Sequence, residues 1–301
     1  MRSDLDIESL WSVFACPQCS GRLEKTDFGA MCTSCTTEFR KTEHGQLDLR
    51  LKKEKKTIVD FVISPSFEPD ETVFNFLPLN STSERKINLE EFASMSKEIS
   101  SYVPIPSSKN SLMLDLGCGD AKYRTNFEQA GFNYVGLDYC SENATLLGDA
   151  HALPFKDESF ELIFSRSVFE HLQYPFVAMN EAYRVLKRNS RFFGSIAFLE
   201  PFHGRSFYHP THYGLLNYFK HAGFSVQHIS PNPKWDVLTA QASMALFPKL
   251  PNAISIALVS PLRLTHKVYW KIGHLLKPEQ SNELTRLLWT TGSYEFVATK
   301  N

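Results

Sequence analysis

The sequence has no apolar run long enough to cross a bilayer. Residues 1–10 are charged and hold no apolar segment of signal-peptide length, so we expect a cytoplasmic protein in a reducing compartment. An excess of either charge is also missing, because 32 basic and 33 acidic residues give a formal net charge of -1. Bulk electrostatics therefore gives no support to a nucleic-acid partner. The lysine-rich run at 50–56 is more typical of a solvated linker than of an RNA contact.

Four of the six cysteines fall into two pairs in a segment that is otherwise poor in core residues. Cys16 and Cys19 flank Pro-Gln, and Cys32 and Cys35 flank Thr-Ser. Two such pairs facing each other across a hairpin form the tetrahedral thiolate cage that Zn²⁺ prefers, and so small a segment needs a staple of this kind. Four sulfur ligands leave no open coordination position, so we expect a structural metal, with disulfides or unliganded thiols as alternatives. The first pair resembles a zinc-ribbon knuckle, although the usual glycine after the second cysteine is displaced to Gly21.

A glycine turn follows the apolar run that begins at Leu112. The run leads into Asp-Leu-Gly-Cys-Gly, which predicts a buried strand that ends in a turn. Gly117 and Gly119 carry no Cβ, so a ligand can approach the backbone there. The sequence therefore predicts a nucleotide-like pocket at the carboxyl end of this strand.

Two further predicted strands end in polar residues. A helix at 121–130 is followed by a strand at 133–138, whose last residue is Asp138. Its distance in sequence from Gly119 is close to the spacing of about 20 residues at which a carboxylate after a glycine turn binds both ribose hydroxyls. Asp149 closes a third strand, and the strand at 159–165 runs into a polar segment. Strand ends of this kind direct polar groups at one crevice.

Residues 112–224 resemble a class I S-adenosylmethionine-dependent methyltransferase of the type 11 kind, with Gly-Asp-Ala-His-Ala-Leu-Pro-Phe at 148–155 and Phe-Glu-His-Leu at 169–172. The resemblance implies an α/β fold with a Rossmann-like, seven-stranded, mostly parallel sheet whose last strand is antiparallel. It also implies S-adenosyl-L-methionine as cofactor and methyl transfer as the reaction. By the resemblance, Asp115, Gly117 and Gly119 cradle the methionine part of the cofactor, and Asp138 holds its ribose. Asp149 and Ala150 contact the adenine, and Ser165 and Arg166 form the floor of the pocket. The implied cofactor contacts are Asp115, Gly117, Cys118, Gly119, Asp138, Tyr139, Asp149, Ala150, Ser165 and Arg166.

The chain departs from the family pattern in two places. Ala121 stands where the family usually has a third glycine, and the segment 139–144 allows one helical turn at most. A dinucleotide-dependent dehydrogenase is the rival interpretation. It would require a third glycine at the helix start and would not explain the Gly-Asp-Ala or Glu-His segments.

Histidines supply the catalytic candidates. His171 follows the fourth strand, and His203 and His209 lie in the loop after the fifth, where each can act as a general base or only hydrogen-bond the loop. Their spacing does not form a helical metal pair, so the sequence predicts no second metal. The Asn/Asp-Pro-Pro-aromatic segment of many adenine and glutamine methyltransferases is absent, and Ser-Arg-Ser-Val stands at 165–168 instead.

A long insertion separates the predicted strands at 224–229 and 293–298, and it spans about sixty residues where the minimal fold has a hairpin. It is interpreted as a helical lid over an apolar acceptor pocket, as an oligomer contact, or as an attachment to a membrane surface through Lys267, Trp270 and Lys271. The predicted domains are a zinc-ribbon-like domain at 1–50, a linker at 51–108 that contains a cofactor-covering helix at 88–100, and a methyltransferase domain at 109–301 that includes the insertion at 232–288.

The favoured function is methylation of a small-molecule or lipid-like acceptor at oxygen, nitrogen or carbon. The alternatives are an RNA methyltransferase whose zinc ribbon holds the RNA, and a non-catalytic binding module that keeps the fold. A clustered basic face would favour RNA, and a filled cofactor pocket would favour the binding module.

Overall fold

The structure is a computed structural model that describes residues 7–62, 68–78, 97–232, 234–277 and 282–301. The amino-terminal part begins with a short helix and continues as a three-stranded antiparallel sheet in the order β1-β2-β3. These elements are α1 (Ile7–Leu10), β1 (Leu23–Thr26), β2 (Gly29–Cys32) and β3 (Glu38–Arg40).

An eight-stranded sheet forms the centre of the molecule. Its strands are β4 (Leu47–Asp48), β5 (Leu112–Leu116), β6 (Asn133–Asp138), β7 (Leu146–Leu147), β8 (Phe160–Arg166), β9 (Leu186–Ala197), β10 (Ser225–Pro231) and β11 (Ser293–Lys300). Their order is β10-β11-β9-β8-β5-β6-β7-β4, with β11 antiparallel to both neighbours and the other pairs parallel. The predicted fold class is confirmed. The sequence did not predict β4, because a two-residue strand leaves no periodic pattern.

Helices flank the sheet and fill the insertion before the last strand. They are α2 (Lys97–Ser100), α3 (Arg124–Gln129), α4 (Pro175–Val185), α5 (His212–Ala222), α6 (Val237–Gln241), α7 (Asn252–Leu276) and α8 (Glu283–Thr290). In α5, the Thr211 side chain accepts a hydrogen bond from the Gly214 amide, and Gly223 ends the helix in the left-handed conformation. The predicted helix at 88–100 lies mostly outside the described residues, which include only α2. No helix in the described ranges is long and apolar enough to cross a membrane.

The amino-terminal sheet shares one hydrophobic core with the large sheet. The Phe14 and Phe155 rings lie 6.0 Å apart, and the Ala15 amide donates to the Pro154 carbonyl at 3.0 Å. Strand β4 then pairs with β7. The cysteine-bearing segment is therefore fixed to the edge of the sheet, while the predicted domain boundaries stay predictions.

Ala121 explains where the first crossover helix begins. The sequence predicted this helix from residue 121, but α3 starts at Arg124, because Ala121 has a φ of 54° in the left-handed region. An L-residue other than glycine is disfavoured there, which is a physical reason to expect a glycine at this position. The segment 139–144 contains no helix, as its shortness predicted.

Replacing this residue with glycine is expected to stabilise the protein. The left-handed conformation costs an alanine about 1–2 kcal/mol, and the larger freedom of glycine in the unfolded chain offsets about 0.4–1 kcal/mol of that. We expect Ala121→Gly to raise the free energy of unfolding in urea by up to about 1 kcal/mol. The control Ala257→Gly, at an exposed position in the interior of α7, should lower it by about 1 kcal/mol. Equal losses in both variants would contradict this explanation.

Candidate functional site

A cavity of about 1780 Å³ lies at the carboxyl ends of β5, β6 and β8. Ligands of open α/β sheets bind at this edge, where parallel strands present their ends together. Ser165 does not line the cavity, because its buried Oγ donates to the Leu116 carbonyl at 3.0 Å. The other sequence-predicted cofactor contacts line it: Asp115, Gly117, Cys118, Gly119, Asp138, Tyr139, Asp149, Ala150 and Arg166.

Both glycines of the turn have left-handed backbones, with φ of 75° at Gly117 and 53° at Gly119. A Cβ on Gly117 would come within 2.3 Å of the Val168 side chain, whereas a Cβ on Gly119 would point into open space. Gly117 is therefore required by the packing of the turn against the end of β8. Gly119 leaves room beside the backbone that a ligand can fill.

Asp115 is a buried carboxylate at the base of the cavity. Its Oδ2 accepts a hydrogen bond from the Tyr134 hydroxyl at 2.6 Å. Burial raises the pKa of Asp115 to about 7, although the bond from Tyr134 works in the opposite direction. The charged form of such a buried carboxylate is stabilised when a cationic group of a ligand lies beside it.

Asp138 ends β6 and joins the two turns that border the cavity. Its Oδ2 accepts from the Gly119 amide, and its Oδ1 accepts from the amides of Cys140 and Ser141, each at 3.0 Å. These bonds hold the carboxylate in one orientation at the cavity wall. The side chain therefore has a structural role in the turn as well as the ligand-binding role that its position predicts.

Asp149 is held by its neighbour His151. Both the backbone amide and Nδ1 of His151 contact Asp149 Oδ1, at 2.9 and 2.7 Å, and His151 Nε2 accepts from the Tyr174 amide at 3.2 Å. Burial alone would raise the pKa of Asp149, but the contacts with His151 outweigh it and lower that pKa. The sequence did not predict the role of His151, although its place two residues after Asp149 is the spacing of a local hydrogen-bonded turn.

The side chains of three other predicted cofactor contacts, Arg166, Cys118 and Tyr139, have different surroundings. Arg166 Nη1 donates to the Tyr123 hydroxyl. Cys118 is a buried thiol whose pKa is raised by burial, which makes it inert and fits a packing role. Tyr139 is 60% exposed, and Arg50 lies over its ring at 5.4 Å while donating to its carbonyl. The amino-terminal segment thus contacts the loop that borders the cavity.

The three candidate histidines differ in their position relative to the cavity. His171 lines the cavity, whereas His203 and His209 stand behind it and are not among the lining residues. The rings of His171 and His203 meet edge to face, with centroids 5.0 Å apart. His209 Nδ1 donates to the Phe198 carbonyl at 2.9 Å. Of these residues, His171 is therefore the one placed to touch a substrate.

The sequence of this region matches a known family. Residues 114–194 match the family model described as a methyltransferase domain. The chain contains a methyltransferase domain. An uncharacterized methyltransferase of Mycobacterium tuberculosis is 31% identical over 88 residues, which cover 25% of this chain and 35% of that relative. One of Mycobacterium leprae is 29% identical over 89 residues, with 25% and 33% covered. The chain spans about a third of the length of the curated relatives it matches.

Solved methyltransferase structures are similar to larger parts of the chain. A chain from the complex between the Haloferax volcanii Trm112 methyltransferase activator and a methyltransferase is 18% identical, with a TM-score of 0.47, and the match covers 70% of this chain and 91% of that one. A SAM-dependent methyltransferase from Archaeoglobus fulgidus is 18% identical, with a TM-score of 0.43 and 71% and 94% covered. Phosphoethanolamine N-methyltransferase 2 of Haemonchus contortus is 17% identical, with a TM-score of 0.44 and 70% and 52% covered.

The far end of the cavity in the methyltransferase domain is aromatic. Phe61 crosses from the linker to pack on Phe176, with ring centroids 5.2 Å apart, and both rings contact His221. The aromatic lining residues at this end are Phe61, Tyr174, Phe176, Phe207, Tyr208 and Tyr218. The sequence did not predict this wall, because its members come from four separate segments and share no motif.

The insertion does not contribute to this wall. Its described residues, 232, 234–277 and 282–288, are absent from the lining of the cavity. The segment 51–61 covers the cavity instead, through Leu51, Lys55, Thr57, Val59 and Phe61. The lid interpretation of the insertion therefore gains no support from the lining of the cavity.

The four amino-terminal cysteines converge. The Sγ atoms of Cys16 and Cys35 lie 3.7 Å apart, those of Cys19 and Cys32 lie 3.5 Å apart, and all four lie within 4.8 Å of one another. These separations are far longer than a disulfide bond of about 2.05 Å and suit four ligands around one ion.

Residues in the left-handed conformation follow both cysteine pairs. Ser20 has a φ of 61° and Thr36 a φ of 54°, at the positions where zinc-ribbon knuckles usually have glycine. The Ser20 amide donates to the Cys16 carbonyl at 2.7 Å, and the Thr36 amide donates to the Cys32 carbonyl at 3.0 Å. The two pairs therefore form the same tight turn without glycine.

Proposed function

We propose that this protein is a S-adenosylmethionine-dependent methyltransferase that acts on a small-molecule or lipid-like acceptor. The observation that carries the proposal is the Asp138 carboxylate, fixed beside the Gly119 backbone at the mouth of an open cavity within the matched domain. The cavity volume of about 1780 Å³ exceeds the usual range of about 300–1,000 Å³ for one ligand, so it has room for a cofactor and an acceptor. An open cavity also argues against a non-catalytic module.

The residues present fit the cofactor. The buried Asp115 would hold the ammonium of the methionine part, Asp138 the ribose hydroxyls, and Asp149 with Ala150 the adenine. Gly119 provides the space beside the backbone. The bound cofactor would supply an electrophilic methyl group.

The pH dependence of cofactor binding tests the role of Asp115. Its pKa of about 7 in the free protein means that the carboxyl is protonated below that pH, while a bound ammonium favours the charged form and lowers the pKa in the complex. We expect the Kd for S-adenosylhomocysteine to be constant above pH 7 and to rise by up to about tenfold per pH unit below it. Calorimetry between pH 5.5 and 8 measures this. Asp115→Asn should bind more weakly with a flat profile, and a wild-type profile that is equally flat would contradict the assignment.

Alignment and exclusion of water provide the acceleration. Attack of an acceptor lone pair on the methyl group is an in-line displacement, which needs a fixed approach more than a special acid or base. The aromatic end of the cavity and the segment 51–61 supply the apolar groups that would exclude water once cofactor and acceptor are bound. His171 stands at this wall as the candidate to accept a proton from the acceptor.

An apolar acceptor is favoured over RNA by the residues around the cavity. In the basic run at 50–56, Arg50 and Lys52 pair with Asp48, and Lys55 donates to the Pro17 carbonyl. Part of the positive charge of this run is thus balanced within the protein by Asp48. Helix α7 adds an exposed apolar surface that includes Ile254, Leu258, Leu262, Val268, Ile272 and Leu275, and the helix contains no acidic residue. Such a surface suits contact with anionic lipid.

The acceptor class is tested by methyl transfer from labelled cofactor to fractions of an extract from the source organism. We expect label in the lipid or small-molecule fraction. Label confined to RNA would refute the acceptor class and favour the ribbon as an RNA-holding element.

We also propose that Cys16, Cys19, Cys32 and Cys35 bind one structural Zn²⁺. The convergence of four thiols at the edge of the shared core supports this assignment. With four sulfur ligands, the ion would stabilise the segment that covers β7 rather than take part in methyl transfer.

A further inference from the structure

A second group of potential metal ligands lies behind the aromatic end of the cavity. Glu170, His171 and His203 each offer one ligand atom, and these atoms lie within 4.8 Å of one another. Glu170 and His171 belong to the 3-10 turn after β8, and His203 lies in the loop after β9. The spacing of the histidines in the sequence predicted no second metal site. The fold nevertheless brings the ligand atoms together, because β8 and β9 are neighbours and the segments after them lie side by side.

The Glu170 carboxylate has no hydrogen bond of good geometry in the described part of the chain, although its own backbone amide and that of Ala197 lie near enough to lower its pKa. The residue is 0% exposed, and both of its side-chain oxygens are buried without a hydrogen bond. Burial raises the pKa of Glu170 to about 8, and the nearby Glu200 adds to this effect. The charged form of this group is therefore disfavoured in the metal-free protein, and a cation beside it would favour that form.

Both histidines are oriented as metal ligands usually are. His203 Nδ1 donates to the Pro201 carbonyl at 3.0 Å, and the backbone of Arg205 lies beside the His171 ring and acts to raise its pKa, although burial lowers that pKa more. A backbone bond at one ring nitrogen fixes the tautomer and leaves the lone pair of the other nitrogen for a metal. Glu200 stands behind His203, with Oε2 3.9 Å from Nδ1, and is held by Trp235 Nε1 at 2.8 Å.

We propose that Glu170, His171 and His203 form a binding site for a divalent transition-metal ion of the zinc type. Two imidazoles and one carboxylate are a donor set of catalytic zinc sites, in which further coordination positions stay open. Nitrogen and oxygen ligands bind zinc at about 2.0–2.2 Å, which places the ligand atoms of a tetrahedral site about 3.4 Å apart, so these three atoms would approach one another from their present separations of up to 4.8 Å.

His171 links the ion to the cavity, because it is the ligand that lines the wall, and as a metal ligand it would hold the ion in place of accepting a proton from the acceptor itself. An open coordination position can therefore take an oxygen or nitrogen of the acceptor and lower its pKa, which helps it to lose a proton before methyl transfer. This role depends on the proposed methyltransferase function, whereas the metal binding itself does not.

Zinc content of the full chain tests the site. The wild type and its variants are prepared with excess Zn²⁺, dialysed and analysed by plasma mass spectrometry. We expect Glu170→Gln and His203→Ala to hold one equivalent less than the wild type, and His274→Ala, on the exposed face of α7, to hold the same amount. Because variants are compared with the wild type, the occupancy of the cysteine site does not affect the result.

Titration of each dialysed protein with Zn²⁺ gives a second readout. The Kd of the additional equivalent should rise at least about tenfold in Glu170→Gln, which is nearly isosteric and whose fold is checked by circular dichroism. Unchanged zinc content and affinity in folded Glu170→Gln would overturn the proposal, whatever happens to His203→Ala. Calorimetry with S-adenosylhomocysteine on the same samples separates the two hypotheses: a wild type that fails to bind it but carries the second zinc refutes only the proposed function.

Discussion

Replacing Cys19 with serine is expected to lower the thermal unfolding temperature by about 10 °C, and a strong chelator should have a similar effect on the wild type. Structural zinc contributes an apparent 10–16 kcal/mol in isolated zinc-finger peptides, and loss of about 6 kcal/mol of it corresponds to such a shift in a protein of 301 residues, at about 2.1 cal/mol/K of unfolding entropy per residue. The effect reaches the large sheet because Cys16, Cys32 and Phe14 belong to the same core as its strands. Differential scanning calorimetry measures it.

The matched control for this substitution is Cys140→Ser. Cys140 is also exposed but lies outside the cysteine cluster, so its replacement should leave the unfolding temperature within about 1 °C of the wild type. If both variants unfold at the same temperature and the chelator has no effect, the four thiols do not hold a stabilising metal.

Replacing Asp138 with alanine is expected to weaken S-adenosylhomocysteine binding at least about 100-fold. Two hydrogen bonds from the ribose hydroxyls to a charged acceptor contribute about 1.5–3 kcal/mol each, and about 1.4 kcal/mol corresponds to a factor of ten. The variant also loses the three amide bonds that order the glycine turn and the loop after β6. Isothermal calorimetry gives the change in Kd.

Asp138→Asn separates the two roles of this residue. It keeps an Oδ1 that can accept from the Cys140 and Ser141 amides, but it loses the charge, so we expect an intermediate loss of about tenfold. Equal binding by the wild type and Asp138→Ala would show that Asp138 does not hold the ribose.

Site features whose residues lie close together in the sequence could be predicted. The glycine turn and the acids at Asp138 and Asp149 lie within short motifs at strand ends, so the order of strands was enough to place them on one cavity. Ser165 belongs to the same motif set, yet it alternates to the buried side of β8, where its hydroxyl satisfies the Leu116 carbonyl. The alternation of a strand near its end is decided by packing, which the motif does not encode.

Features assembled from distant segments could not be predicted. The contact between Phe61 and Phe176 and the cluster of Glu170 with His203 each depend on how loops fold back over the sheet. Glu170 was visible as part of the Phe-Glu-His-Leu segment, but its lack of a hydrogen bond of good geometry is a property of the folded core. Strand β4 escaped prediction for a similar reason, since two residues are recognised as a strand only by their pairing with β7.

The most direct test of the central claim is calorimetry of the wild-type chain with S-adenosylhomocysteine. Binding of one equivalent, lost in Asp138→Ala, is the result expected if the cavity at the ends of β5, β6 and β8 holds the cofactor of a methyltransferase. Absence of binding by the folded, zinc-loaded wild type at pH 7.5 would contradict it.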